Sequence, residues 1–206
     1  MKKKNKVLIA LALALTLCIT AVVSIWILFP KGTNHTFMIE NDYNTTKPEE
    51  LYENAPIVLI GTYLGNEKTI ALKDRSGLPL TIGRMQIETV LKGTVEEETL
   101  PVGFYGGTIS LQEHAAARDP ESLEKQGITD TILRMRGRRD TITLKFDTEV
   151  DAREGQRYLL FTGTRPEDEY YTVMADAYGM RPLDEEDRAL SPDSQQYERI
   201  DFLLQD

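Results

Sequence analysis

Apolar and polar positions change their spacing several times along this chain, and each change predicts a different kind of element. From Val7 to Phe29 run 23 uncharged, largely apolar residues, preceded by Lys2, Lys3, Lys4 and Lys6 and closed by Pro30. At about 1.5 Å rise per residue they make a helix of roughly 34 Å, enough to cross a hydrocarbon core of about 30 Å. Inside a bilayer the backbone N–H and C=O groups must be satisfied within the segment, which selects a helix. Four lysines before the span and only Lys31 directly after it put the N-terminus in the cytoplasm and the rest outside. A removable signal peptide has a shorter apolar region and a small-x-small cleavage site. Here Ile25 to Phe29 continue past every small residue that would mark a cut, and Leu17 stands where a lipoprotein signal wants a small residue before Cys18. The pattern predicts an uncleaved, single-pass anchor.

Beyond Pro30 the apolar spacing becomes short and mostly of period two. Residues 30–45 are polar and read as a stalk. Thr46-Lys47-Pro48-Glu49 has the form of a capping box with Pro in the first turn, predicting a short helix to Glu53 with Leu51 and Tyr52 buried. The β-branched run Ile57–Leu64, stopped by Gly65-Asn66, predicts a strand buried on both faces. Leu80–Leu91 alternates over its second half, as a half-buried strand does, and turns at Lys92-Gly93. Thr99–Tyr105 is a further strand, ended by Gly106-Gly107. Residues 108–140 read as an insertion of helical pieces: a capping box at Ser110–Glu113, an alanine run, a restart at Asp119-Pro120, and a basic knot at Arg134, Arg136, Arg138 and Arg139. Strands resume at Thr141–Phe146, Arg157–Thr162 and Tyr170–Ala175. Tyr197, Ile200, Phe202, Leu203 and Leu204 make the apolar side of a predicted C-terminal helix over Asp193–Gln205.

The fold class that follows is mainly β (α+β): an N-terminal transmembrane helix, then an OB-like small β-barrel or sandwich with peripheral helices. Its parts are a basic tail at 1–6, the anchor at 7–29, the stalk at 30–45, and an extracytoplasmic domain at 46–206 carrying the 108–140 insertion.

Charge and cysteine content narrow the function classes. The chain has 24 Lys and Arg against 33 Asp and Glu; setting aside the four N-terminal lysines leaves 20 against 33, a formal charge of −13 beyond the anchor. Such a domain repels nucleic acid. Cys18, inside the apolar run, is the only cysteine, so the outer part has neither disulfide nor thiolate, and only His35 and His114 supply imidazole. Zinc chemistry and nucleophilic triads are poorly provisioned.

The order of Ala55–Thr62, the Val-Leu-Lys-Gly at Val90–Gly93, Gly106-Gly107, Glu154–Phe161 and the Tyr-Tyr-x-Val of Tyr170–Val173 resembles a group of uncharacterised exported or membrane-anchored bacterial proteins, mostly Gram-positive. This resemblance covers roughly residues 50–180. The Ala-led strand and Lys-Gly turn, over about 55–105, also resemble the netrin-type and tissue metalloproteinase-inhibitor modules, which implies an OB-like barrel. That inhibitor family acts through an N-terminal, disulfide-held cysteine, which this chain lacks, so no inhibitory residue carries over.

Candidate chemistry is sparse. Asp147, Glu149 and Asp151 alternate along one strand face and could begin a calcium site or a carboxylate pair, against the plainer reading of a charged strand edge. Asp184-Glu185-Glu186-Asp187 reads as acids at a helix start. Ser110 and His114 share a helical face, but Ser110 is better used as a cap. Gly103, Gly106 and Gly107 read as a turn or bulge, and Tyr158, Phe161, Tyr170, Tyr171 and Tyr178 could line a ligand groove, against the plainer reading of core and cross-strand packing. The arginines at 134, 136, 138 and 139 are the one local reversal of sign, suited to the phosphates of an anionic cell-wall polymer or of lipid headgroups, against the plainer reading that they pair with Asp140 and Asp147 or stay solvated. The expectation is a non-enzymatic, cofactor-free binding module at the cell surface, held in the membrane by Val7–Phe29, with a surface protein or an anionic cell-wall polymer as partner. The other two readings are a structural subunit of an envelope complex docking through the C-terminal helix, and a carboxylate-based hydrolase.

Overall fold

In a computed structural model, the described residues are 18, 32–39, 47–146, 150–163 and 170–200. The anchor segment Val7–Phe29 lies outside them apart from Cys18. Among the described residues no helix is long and apolar enough to cross a membrane.

The long apolar runs become the centre of a six-stranded sheet. Its members are β2 (Ile57–Ala71), β3 (Pro79–Lys92), β4 (Thr99–Tyr105), β7 (Arg157–Thr162), β8 (Tyr171–Thr172) and β9 (Met180–Pro182), in the spatial order β8-β4-β3-β2-β7-β9. β2 pairs antiparallel with β3 on one side and β7 on the other. Its first half is buried on both faces because each face meets its own core. Ile57, Leu59 and Tyr63 join Met85, Leu100, Val102, Phe104, Tyr158 and Leu160. Val58 and Ile60 join Leu159, Phe161, Tyr178, Leu183 and Ile200, covered by Leu51 of helix α1 (Pro48–Asn54). Burying an apolar side chain of this kind contributes roughly 1.5–3 kcal/mol, so this double-sided strand organises the domain.

A second sheet, in the order β1-β6-β5, joins β1 (Asn34–Ile39), β6 (Thr141–Phe146) and β5 (Gly107–Ser110). Between β5 and β6 come three short helices, α2 (Leu111–Ala117), α3 (Pro120–Lys125) and α4 (Asp130–Arg136). A two-stranded ribbon, β10 (Ala189–Leu190) with β11 (Tyr197–Glu198), completes the described chain.

Several expectations change. The sheets are open and mixed rather than a closed OB-like barrel. β8 is a parallel neighbour of β4 at two positions, and the chain after it reaches β7 only at Thr162–Val173. Closing a barrel needs a continuous ladder between its first and last strands. The strand expected over Tyr170–Ala175 is correspondingly reduced to Tyr171–Thr172, because Ala175 and Asp176 turn the chain with φ of 53° and 48°.

The stalk also ends earlier than its composition suggests: residues 34–39 are β1, paired parallel with β6, and the Asn34 side-chain oxygen accepts from the Thr143 hydroxyl at 2.9 Å. Helix α1 has Lys47 as its N-cap with no side-chain cap hydrogen bond, and Thr46 of the expected capping box lies outside the described residues. Gly65-Asn66 does not stop β2; the register against β3 shifts there, making a bulge within a longer strand. No helix occupies 193–200. The Gln195 N–H reaches the Ser191 carbonyl at 3.0 Å, one helical turn, and Gln195 then takes φ of 55° and sends the chain into β11. Ile200 is buried in the core instead of lying on an amphipathic helix. Residues 201–206 lie outside the described set.

Candidate functional site

Two places on the domain gather polar groups at an accessible surface. The first is the excursion between β5 and β6. Ser110 caps α2 as its sequence predicts: its hydroxyl donates to the Glu113 carboxylate at 2.6 Å and accepts from the Glu113 N–H at 3.2 Å, while the Ser110 N–H donates back to that carboxylate. These hydrogen bonds hold the Glu113 carboxyl below its ordinary pKa. His114, on the next turn, is fully buried with Nδ1 2.7 Å from the Gly77 carbonyl oxygen, so Ser110 and His114 serve structure and form no nucleophilic pair. The Asp119 carboxylate and the Thr129 hydroxyl cap α3 and α4 in turn.

The four arginines follow at the end of α4, where cations suit the helix C-terminus. They divide into two kinds. Arg136 is half-buried, its Nε 3.2 Å from a carboxylate oxygen of Asp140, which is 2 % exposed and also faces His35 Nε2 of β1 at 3.7 Å. This arginine fastens the excursion to the second sheet. Arg134 and Arg138 are exposed and hydrogen-bonded to neutral acceptors, the Asp130 carbonyl oxygen at 3.3 Å and the Gln112 amide oxygen at 3.2 Å. Arg139 is exposed as well. Between them Met135 stands 71 % exposed, the most exposed of the large apolar side chains among the described residues.

The second place is a cleft of about 300 Å³ beside β7, β9 and β11. Tyr158, Val150, Ala177 and Met180 are among its apolar lining, with Pro182, Leu190 and Pro192. Tyr158 is 1 % exposed, and its hydroxyl accepts from the Arg153 N–H at 2.8 Å and donates to the Asp151 carbonyl at 3.2 Å, fixing the 151–153 loop over the cleft. Burial is the main reason the Tyr158 phenol stays protonated above its ordinary range. On this loop Asp151 and Arg153 form an exposed ion pair, Arg153 Nε donating to Asp151 Oδ2 at 2.9 Å. Tyr197, 42 % exposed, also lines the cleft.

Asp151 is therefore committed to Arg153, and Asp147 and Glu149 lie outside the described residues. Among the described residues no group of three or more His, Cys, Asp or Glu is placed to hold a metal ion. Asp184 closes a turn rather than opening a helix, accepting from the Arg188 N–H at 2.9 Å and from Arg188 Nε at 2.7 Å. Gly103 sits in β4 where a Cβ would meet the Tyr170 ring at 2.7 Å, and Gly106 and Gly107 turn the chain with φ of 120° and 102°. Tyr158, Phe161, Tyr170, Tyr171 and Tyr178 are all buried core residues. Of the five aromatics that could line a groove only Tyr158 is in this cleft, and the sequence does not locate it further, because β9 and β11 are too short to leave a period and Tyr197 falls in the predicted C-terminal helix. Pro182 and Pro192 were the available signal, since each breaks regular structure where the cleft forms.

No family model matches the chain, and comparison with characterised proteins finds no match.

Proposed function

We propose that the chain is a single-pass, membrane-anchored binding module, its β-rich domain outside the cell, and that it holds an anionic cell-wall polymer against the exposed end of α4. The observation that supports this reading is the pair of exposed guanidiniums, Arg134 and Arg138, bonded to neutral oxygens on either side of exposed Met135. A guanidinium that meets a phosphate or carboxylate replaces neutral contacts with charge-assisted, bidentate ones. A domain of charge −13 screens out anions over most of its surface, so a local positive site selects both where and how a polyanion docks. The anchor at Val7–Phe29 supplies a high effective concentration at the membrane face, which lets weak contacts hold.

The test is binding of the full-length protein to a polyglycerol-phosphate chain at rising salt, for the parent and for Arg134→Gln/Arg138→Gln. The double variant is expected to bind at least about tenfold more weakly and with a flatter salt dependence. Equal affinity and equal salt slope would remove the arginines from the contact. A C-terminal tag that is digested by protease on intact cells checks the orientation; a protected tag reverses it.

A further inference from the structure

We propose that the cleft between the 151–153 loop and β11 is a binding site for a neutral saccharide ring. Three features of the cleft converge on that chemistry. Its rim carries a donor and an acceptor side by side with no net charge. Both hydrogen bonds from the Arg153 guanidinium go to Asp151 Oδ2, so Oδ1 stands outside the fork, next to a guanidinium that has further N–H groups. A vicinal diol fits such a pair, one hydroxyl donating to the carboxylate and its neighbour accepting from the guanidinium.

Lining the same cleft, the half-exposed Tyr197 is a flat apolar ring with a polar edge, a side chain that suits a sugar's C–H face and its ring hydroxyls. Tyr197 lines the same cleft as Asp151, Arg153 and Tyr158, so the aromatic and the ion pair address the same space. The size agrees: about 300 Å³ is the lower end of the roughly 300–1,000 Å³ range of small-molecule sites, enough for one ring rather than an extended chain. The buried Tyr158 and Met180 keep the far wall apolar, and the Tyr158 hydroxyl is already spent on the loop, so specificity rests on Asp151, Arg153 and Tyr197. The Arg153 charge is matched by Asp151, so the rim has no excess positive charge for a polyanion, which sets this cleft apart from the arginine end of α4.

The experiment is saturation-transfer NMR on the full chain in a detergent without a sugar headgroup, with glucose and N-acetylglucosamine as probes at about 10 mM. That concentration exceeds the dissociation constant of order 1 mM expected for a ligand of about a dozen heavy atoms. The expected result is transfer to at least one probe, reduced roughly fivefold or more by Tyr197→Ala and by Asp151→Asn. Both positions are exposed, so melting temperatures should stay close to the parent's and show that the variants fold. Arg134→Gln/Arg138→Gln should leave the signal intact, separating this site from the polymer contact. No transfer to either sugar, or transfer undiminished in both cleft variants, overturns the proposal. Transfer to a proline-rich peptide in place of the sugars also overturns it, and reassigns the Tyr197–Pro192 wall to peptide recognition.

Discussion

Tyr63 lies flat across the backbone of Gly83, which leaves no room for a side chain there: a Cβ at position 83 would run into the phenol ring. The ring is 1 % exposed and held edge-on by Phe104 and Tyr158, with centroids 6.3 Å away in each case, so it has nowhere to retreat. Gly83→Ala should therefore destabilise the domain by about 1–3 kcal/mol, the usual cost of overpacking, read as a lower denaturant midpoint. An unmoved midpoint would mean that the ring does not sit there. A few residues away, Glu88 accepts from Arg157 Nε at 2.8 Å and from the Thr62 hydroxyl at 2.6 Å, linking β2, β3 and β7. Burial alone would raise this carboxyl, but the two hydrogen bonds and the Arg157 charge outweigh it and hold it low. Being about one-third exposed, the pair contributes at most about 1 kcal/mol. None of these partnerships is visible in the chain itself, where Gly83 is one glycine in an alternating strand and Glu88 one of many surface acids.

Elements whose signals span four or five residues were legible, and those that depend on distant partners were not. Ser110–Glu113 belongs to the first kind. Its reciprocal bonds need only the local chain, and they form as the pattern requires. Ser110→Ala should cost about 0.5–2 kcal/mol and leave Glu113 nearer its ordinary pKa, measurable by thermal melting and by carboxyl titration. A loss under a few tenths of a kcal/mol would show that the cap is not carrying α2. The strands β4, β6 and β7 also match their predicted limits, because each is bounded by glycine, by a turn or by charge. β1 is the second kind. Residues 34–39 sit in a largely polar stretch that passes for a stalk, and a parallel partner more than a hundred residues later makes them a strand. The C-terminal stretch fails for a related reason: its helix-start signal is obeyed for one turn, then Ile200 finds a better place in the core than a helix face offers. The arginine end of α4 was readable as a change of sign, whereas the division between the fastening Arg136 and the exposed Arg134 and Arg138 needed the position of buried Asp140.

At the scale of the whole molecule, the same contacts set two pH limits of opposite origin. On the acid side, Glu67 is held low by its hydrogen bond from Arg84, Glu113 by Ser110 and Asp119 by Ser122, in addition to Glu88. Groups with depressed folded pKa values contribute stability above their unfolded values, near 4, and lose it as pH falls through the folded ones. These groups are largely exposed, so the acid limit should be a gradual decline below about pH 4. The alkaline side is set by the interior. Burial, reinforced by neighbouring Tyr158 and Glu67, raises the Tyr63 phenol from its ordinary 10.0 to about 12, and Tyr158 moves the same way. A raised folded pKa contributes stability that is complete below the unfolded value. It is lost as pH rises from about 10 towards 12, because the unfolded chain releases the proton first. Stability measured by denaturant should thus fall steeply over that window. Tyr63→Phe removes one such proton: it should lower stability at neutral pH, through loss of the bond from the phenol to Asn66, and yet flatten the alkaline decline. If the parent and Tyr63→Phe decline in parallel from pH 10 to 12, the buried phenol does not set the limit. The alkaline loss would then have to come from self-repulsion of a domain that already carries a formal charge of −13 and becomes more negative as pH rises.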